Sequence, residues 1–179
     1  MQKTIIESNR LYLNKIELSD FKELCKMLQD KDVMYAWEKT FSDKEVIEWI
    51  KKRENGYSTY GYDYFLAINK ETSKVIGQIG ILNENIKGEN YIGIGWILNK
   101  SEWGKGYATE GALACIDYVF NVLKVDKVIA DIRPTNAKSI NVAMKIGMKP
   151  VGRFIKAYDG KEVEHTIYQK NNTLILEKI

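Results

Sequence analysis

Histidine occurs once in this chain of 179 residues, and cysteine twice, at Cys25 and Cys115. One imidazole and two distant thiols cannot build the usual zinc site, so no metal is expected. Both cysteines fall on apolar positions of predicted helices. That suggests buried thiols in a reducing compartment and argues against an acyl-cysteine intermediate. No apolar run approaches the ~20 residues of a membrane span, and the opening MQKTIIESNR has no signal-peptide core. Basic and acidic residues nearly balance, 27 against 24, without a basic block or stripe, so there is no footprint for nucleic acid. The net charge of +3 does suit an anionic cofactor. The expectation is a cytoplasmic, metal-free protein whose residues 1–179 form a single domain with a sizeable core.

Two nucleotide motifs are missing as well. No Gly-Lys-Ser or Gly-Lys-Thr occurs, which removes the Walker loop. The dinucleotide fingerprint needs a third glycine at Ala108 or Thr109, and Gly111 is off register. That fingerprint also belongs at the first strand of a fold, whereas here most of the first half of the chain precedes the glycines.

What is present is Trp103-Gly104-Lys105-Gly106-Tyr107-Ala108-Thr109-Glu110, between the strand-like run Tyr91–Leu98 and a helical pattern reaching about Leu123. Glycine admits positive φ and lets main-chain N–H groups approach a ligand closely. The first turn of a helix has N–H groups without internal partners and the positive end of the dipole. With Lys105 adding a charge, the turn reads as an anion cradle, most plausibly for a pyrophosphate. The plainer reading is a glycine-rich turn with no ligand.

This stretch resembles the acyl-CoA pyrophosphate loop of the GNAT N-acetyltransferase superfamily, Q/R-x-x-G-x-G/A. Gly106 and Ala108 match the two small positions, and Trp103 departs at the first. The string WGKGYATE is similar to the branch containing the ribosomal-protein N-terminal acetyltransferases. The resemblance implies that Gly104, Lys105, Gly106, Tyr107, Ala108 and Thr109 hold acetyl-CoA. It also implies that the preceding strand, through Trp96, Ile97 and Leu98, lies along the pantetheine arm, with a backbone N–H polarising the thioester carbonyl. Pro134-Thr135-Asn136-Ala137-Lys138-Ser139 is similar to the family's N-x-x-S. There the asparagine bonds pantetheine and the serine protonates the departing thiolate, roles carried to Asn136 and Ser139. On the residues alone, Asn136 is a good helix N-cap and Ser139 a first-turn hydroxyl.

Along the chain, strands are predicted over Arg10–Ile16, Tyr62–Asn69, Val75–Leu82, Tyr91–Leu98, Lys127–Arg133, Lys149–Phe154 and Glu164–Lys170. Helices are predicted after Ser19-Asp20, after the capping-box match Ser42–Glu45, through Ala108–Leu123 and from Asn136 to Gly147. Strand, helix, strand around the cradle makes a right-handed βαβ unit with parallel strands. Gly93 and Gly95 suggest a bulge or a close backbone approach there. Asn83–Asn90 reads as a polar loop, and Leu174–Leu176 as a short strand or a frayed tail. The fold class is α/β (α+β), one GNAT-like domain with a mixed, about seven-stranded central sheet flanked by helices. Tyr35 and Trp37 either plug the core or, as the resemblance implies, line an acceptor groove, and one or two of Tyr57, Tyr60, Tyr62 and Tyr64 are expected to meet substrate.

The implied reaction is acetyl transfer to a primary amine, a protein N-terminus or a small molecule, by a monomer or a homodimer. A base is the missing part. Gly93 stands where relatives commonly carry a glutamate, and Tyr158 near where a hairpin carboxylate is expected. Asp159, Glu164, His165 and a water relay are the candidates. A non-catalytic acyl-CoA-binding module and a nucleotide-binding regulatory domain are the rival readings.

Overall fold

Phe65 and Ala67 point to one face of their strand and Tyr64 and Leu66 to the other, and all four are buried. A strand that alternates between two apolar faces must be covered on both sides. The computed structural model, which describes residues 4–158 and 160–173, covers it with helices. The strands are β1 (Thr4–Glu7), β2 (Leu11–Lys15), β3 (Tyr64–Asn69), β4 (Val75–Ile86), β5 (Glu89–Leu98), β6 (Lys127–Ile132), β7 (Lys149–Tyr158) and β8 (Lys161–Asn171). The helices are α1 (Phe21–Leu28), α2 (Asp43–Tyr60), α3 (Tyr107–Asn121) and α4 (Ala137–Lys145). Asp159 and the Leu174–Leu176 segment lie outside the described residues.

The sheet runs β1-β2-β3-β4-β5-β6-β8-β7. It is antiparallel throughout except between β5 and β6, which are parallel as the βαβ reading requires. One apolar cluster joins β2, β3 and β4 to α3 and α4 through Leu11, Leu13, Phe65, Ile79, Ile81, Ala112, Cys115 and Ala143. A second joins Leu66 and Ile97 to α1 and α2 through Leu24, Met27, Leu28, Val46 and Ile50. Cys115 is buried as expected, and burial raises its thiol pKa; Cys25 is only half-buried.

Among the described residues there are eight strands against the expected seven or so. The addition is β1, which pairs with β2 after an irregularity between Thr4 and Ile6. The polar stretch 83–90 is not a loop but the end of a long hairpin, in which β4 continues to Ile86 and pairs with Glu89. Its two turn residues, Lys87 (φ 53°) and Gly88 (φ 88°), both take the left-handed conformation that matches strand twist in a two-residue hairpin. Its polarity reflects an exposed face rather than missing structure.

Of the two readings of Gly93 and Gly95, the bulge is not found against β4. The β4–β5 register runs unbroken from Gly77 opposite Leu98 to Ile86 opposite Glu89. The irregularity lies on the other edge of β5, where β5 and β6 share one registered pair, Gly93 with Ile129. No other pair is registered between the two strands. The glycines serve close approach: a Cβ at Gly95 would stand 2.4 Å from the Tyr64 hydroxyl, and one at Gly93 2.9 Å from Cγ of Glu84.

Ile79 sits fully buried under α3 in the larger cluster. Ile79→Ala should lower unfolding free energy by about 2–5 kcal/mol in urea, whereas Val122→Ala, at a side chain 58% exposed, should stay within about 0.5 kcal/mol.

Candidate active site

The cradle closes on Gly106, whose φ of +83° turns the chain into α3 without a capping side chain. The N–H of Glu110 makes the first helical bond, to the Gly106 carbonyl at 3.0 Å. The N–H groups of Tyr107, Ala108 and Thr109 precede it and have no carbonyl one turn back in the helix. Gly104 is left-handed too, at φ +76°, and a Cβ there would meet nothing within 4 Å, so its role is conformation rather than space. These donors at a positive helix end can hold an anion of phosphate size.

The cradle is braced from the far edge of the sheet. Glu110 accepts from the Arg10 main-chain N–H at 2.7 Å, from Arg10 Nε at 2.6 Å and from the Ser8 hydroxyl at 2.7 Å. Arg10 Nη1 in turn donates to the Lys105 carbonyl at 3.2 Å, and its guanidinium lies 4.4 Å from the centre of the Tyr107 ring. The Tyr107 side chain is therefore structural, its hydroxyl accepting from Asn69 at 2.9 Å, and its main chain alone faces the turn. Lys105 is exposed and paired with Glu102 at 3.0 Å. Trp103, where the resemblance departs, works as a bracket: its indole donates to the Leu98 carbonyl at 3.0 Å, and it packs against both clusters.

Along β5, Ile97 and Leu98 bury their side chains in opposite clusters, leaving only main chain for any ligand. Trp96 is half-buried, and its indole N–H donates to the Ser139 hydroxyl at 3.3 Å. That contact spans the opening between β5 and α4. Asn136 caps α4 as expected, its side-chain oxygen accepting from the Ser139 N–H at 3.1 Å. The same oxygen accepts from the Tyr35 hydroxyl at 2.5 Å, so the short 3-10 turn Met34–Trp37 reaches across to α4.

Trp96, Asn136 and Ser139 line one wall of a cavity of about 710 Å³. Trp37, Tyr60, Tyr62 and Tyr64 contribute to it, while Tyr57 lies beneath, taken up by a hydrogen bond to the Tyr64 carbonyl and stacking on Phe65. Its charged lining includes a group the sequence reading did not find. Lys156 on β7 lies 2.8 Å from Asp131 on β6 and 3.5 Å from Glu84 on β4. Burial raises the Glu84 carboxyl above its usual range and Asp131 raises it further, with Lys156 pulling the other way. Burial works against the Lys156 ammonium, but the two carboxylates outweigh it and hold its pKa above normal. A readable signal did exist. Glu84 falls between Leu82 and Ile86 on one strand face, and Asp131 shares a face with Ile129.

The expected bases fare differently. Glu164 is exposed and paired with Arg153 at 3.4 Å, outside the cavity lining. His165 does line the cavity, buried against Phe154 with Nδ1 3.1 Å from the Val163 carbonyl, and burial lowers its pKa. Among the described residues no group of metal-ligating side chains converges, and no helix is long and apolar enough to cross a membrane.

Residues 10–149 match the acetyltransferase (GNAT) domain model. The chain belongs to the GNAT acetyltransferase family. An uncharacterized protein of Bacillus subtilis, YkkB, is 35% identical over 82% of this chain and 86% of its own. The uncharacterized N-acetyltransferase YnaD of the same organism is 30% identical over 84% and 86%. A GNAT-family acetyltransferase structure from Bacillus anthracis superposes with TM-score 0.78 at 28% identity, covering 93% of this chain and 97% of that one. Two more distant structures share the fold. One is RimL, a ribosomal L7/L12 alpha-N-protein acetyltransferase (TM-score 0.80, 16% identity, 96% of each chain). The other is spermidine N-acetyltransferase from Vibrio cholerae with CoA and spermine (TM-score 0.73, 18%, covering 93% and 98%). The matched segment of this acetyltransferase contains the cradle, Trp96, Asn136 and Ser139; Lys156 and His165 lie beyond it.

Burial acts to raise the Glu110 carboxyl, but hydrogen bonds from Ser8 and Arg10 hold it below the ordinary value. A depressed carboxylate stabilises the fold above its unfolded pKa of about 4.3 and loses that effect as pH falls through the folded value. Glu110→Gln should therefore melt below the parent protein at pH 7. The gap should close as pH falls below about 4.3, as calorimetric scans across that range would report.

Proposed function

We propose that this acetyltransferase moves the acetyl group of acetyl-CoA to a primary amine by direct attack in a ternary complex. The cradle amides of Gly104–Thr109 hold the diphosphate. The pantetheine arm lies in the opening between β5 and β6, along the main chain of Trp96, Ile97 and Leu98 and beside Asn136. A β5 N–H polarises the thioester carbonyl, and the Ser139 hydroxyl donates to the departing sulfur. The observation that supports this reading is that β5 leads into the unpartnered first-turn amides of α3, while its Trp96 meets Ser139 at 3.3 Å on the cavity wall.

Free thiols ionise near pH 8.5, so thiolate is a workable leaving group. The enzyme's contribution is then alignment of nitrogen with carbonyl carbon, plus donors aimed at the developing oxyanion and thiolate. Both cysteines stay outside this chemistry, Cys115 because it is buried with a raised pKa.

For the acceptor, the reading favours a protein α-amine. Its pKa near 7.7–8.0 releases a proton far more readily than a lysine side chain near 10.4. RimL is an enzyme of that kind, and spermidine N-acetyltransferase represents the small-molecule alternative.

Ser139→Ala should bind acetyl-CoA as the parent does, by calorimetric titration, while CoA-thiol release with amine present falls about tenfold to a thousandfold. Gly106→Glu puts a carboxylate and a strained backbone at the cradle and should abolish binding. Normal binding by Gly106→Glu contradicts the cofactor site. Binding without thiol release on any amine marks a non-catalytic module instead.

A further inference from the structure

An ammonium cannot attack a thioester, so something in the cavity must take its proton. Two of the described carboxylates that line the cavity, Glu84 on β4 and Asp131 on β6, are half-buried beside Lys156, and of the two it is Glu84 that fills the space beside Gly93. Its residue pairs with Tyr91 on β5, and its Cγ fills the space that a side chain at Gly93 would occupy, 2.9 Å from the ideal Cβ. Gly93 is also the β5 residue registered with β6, opposite Ile129. The groups facing Glu84 are Lys156 at 3.5 Å, Asp131 across Lys156, Lys52 from α2, and Tyr64 from β3, with His165 of β8 farther along the same lining.

We infer that Glu84 is the general base for the acceptor amine, working from β4 through the gap that Gly93 leaves open, with Lys156 and Asp131 positioning it. This rests on the acetyl-transfer reading above. Glu84 takes one proton from the ammonium. The freed lone pair forms the C–N bond while the C–S bond breaks, leaving its electron pair on sulfur. The nitrogen's second proton passes through the Ser139 hydroxyl to sulfur, giving amide and free CoA thiol, and Glu84 returns its proton to solvent. Burial and Asp131 favour this role by raising Glu84 toward working pH. Lys156 keeps the pair of carboxylates from repelling one another, and an arriving ammonium can share its place.

The test is the pH profile of kcat/KM for thiol release, with acetyl-CoA saturating. The acceptor is the fastest of spermidine, glycinamide and short peptides beginning in serine or alanine. The parent should show a rising acid limb from Glu84 and then a plateau. Glu84→Gln should lose that limb and run about a hundredfold or more slower near pH 7. Its deficit should narrow as pH approaches the amine's own pKa, because the amine then arrives neutral. Asp131→Asn should move the parent limb to lower pH, since one charge that raises Glu84 is gone. Gly93→Glu combined with Glu84→Ala, which exchanges carboxylates across the same space, should recover part of the rate. If the parent turns over and Glu84→Gln keeps its limb, or trails by a constant factor at every pH, Glu84 is not the base. If the parent releases no thiol with any acceptor, the acetyl-transfer reading itself fails and takes this inference with it.

Discussion

Two parallel strands joined by a single registered pair set the terms for everything else in this molecule. β5 is fixed on one side by an unbroken ladder to β4, while its other edge meets β6 only at Gly93 opposite Ile129. A strand edge released inside a sheet is ordinarily a liability, because main-chain donors and acceptors are left without partners. Here β5 leads in the chain to the first turn of α3, and its Ile94, Gly95 and Trp96 line an aromatic and charged cavity. An extended ligand carrying amides could satisfy that edge as an added strand does.

Holding the strands apart calls for bracing, which the surrounding residues provide. Trp103 ties the turn after β5 back to the Leu98 carbonyl, Trp96 meets Ser139 across the gap, and Tyr35 reaches Asn136 from the opposite face. Farther out, Arg10 and Glu110 bind the β1–β2 edge to the start of α3. These contacts are directional and partly buried, so they fix geometry more than they add stability. The charged trio of Glu84, Asp131 and Lys156 follows the same logic. Burying such a group is seldom better for stability than an apolar replacement, and its presence in a cavity beside the released strand is more readily explained by chemistry.

Much of this was legible in the letters because local physics dictated it. The Ser42–Glu45 capping box, the Asn136 cap and the left-handed Gly147 formed as their sequences required. The parallel β5–β6 pairing followed from strand, helix, strand. What could not be read were properties of neighbours distant in sequence. Polar residues 83–90 looked like a loop because alternation marks a strand only when one face is apolar, and beyond Leu82 that face carries Glu84 before Ile86. The two glycines of β5 left a bulge and a close approach both open, and it took the folded neighbours to decide: they make room for Tyr64 from β3 and Glu84 from β4. Lys156 of β7 reaches Asp131 of β6 across the intervening β8, and no local pattern announces that.

A crystal structure with acetyl-CoA bound addresses the central claim most directly. The account predicts the diphosphate within hydrogen-bond reach of the Tyr107, Ala108 and Thr109 amides, the pantetheine extended along β5, and the thioester beside Ser139. Acetyl-CoA bound elsewhere, with the 104–109 turn empty or filled by the protein's own side chains, would contradict it.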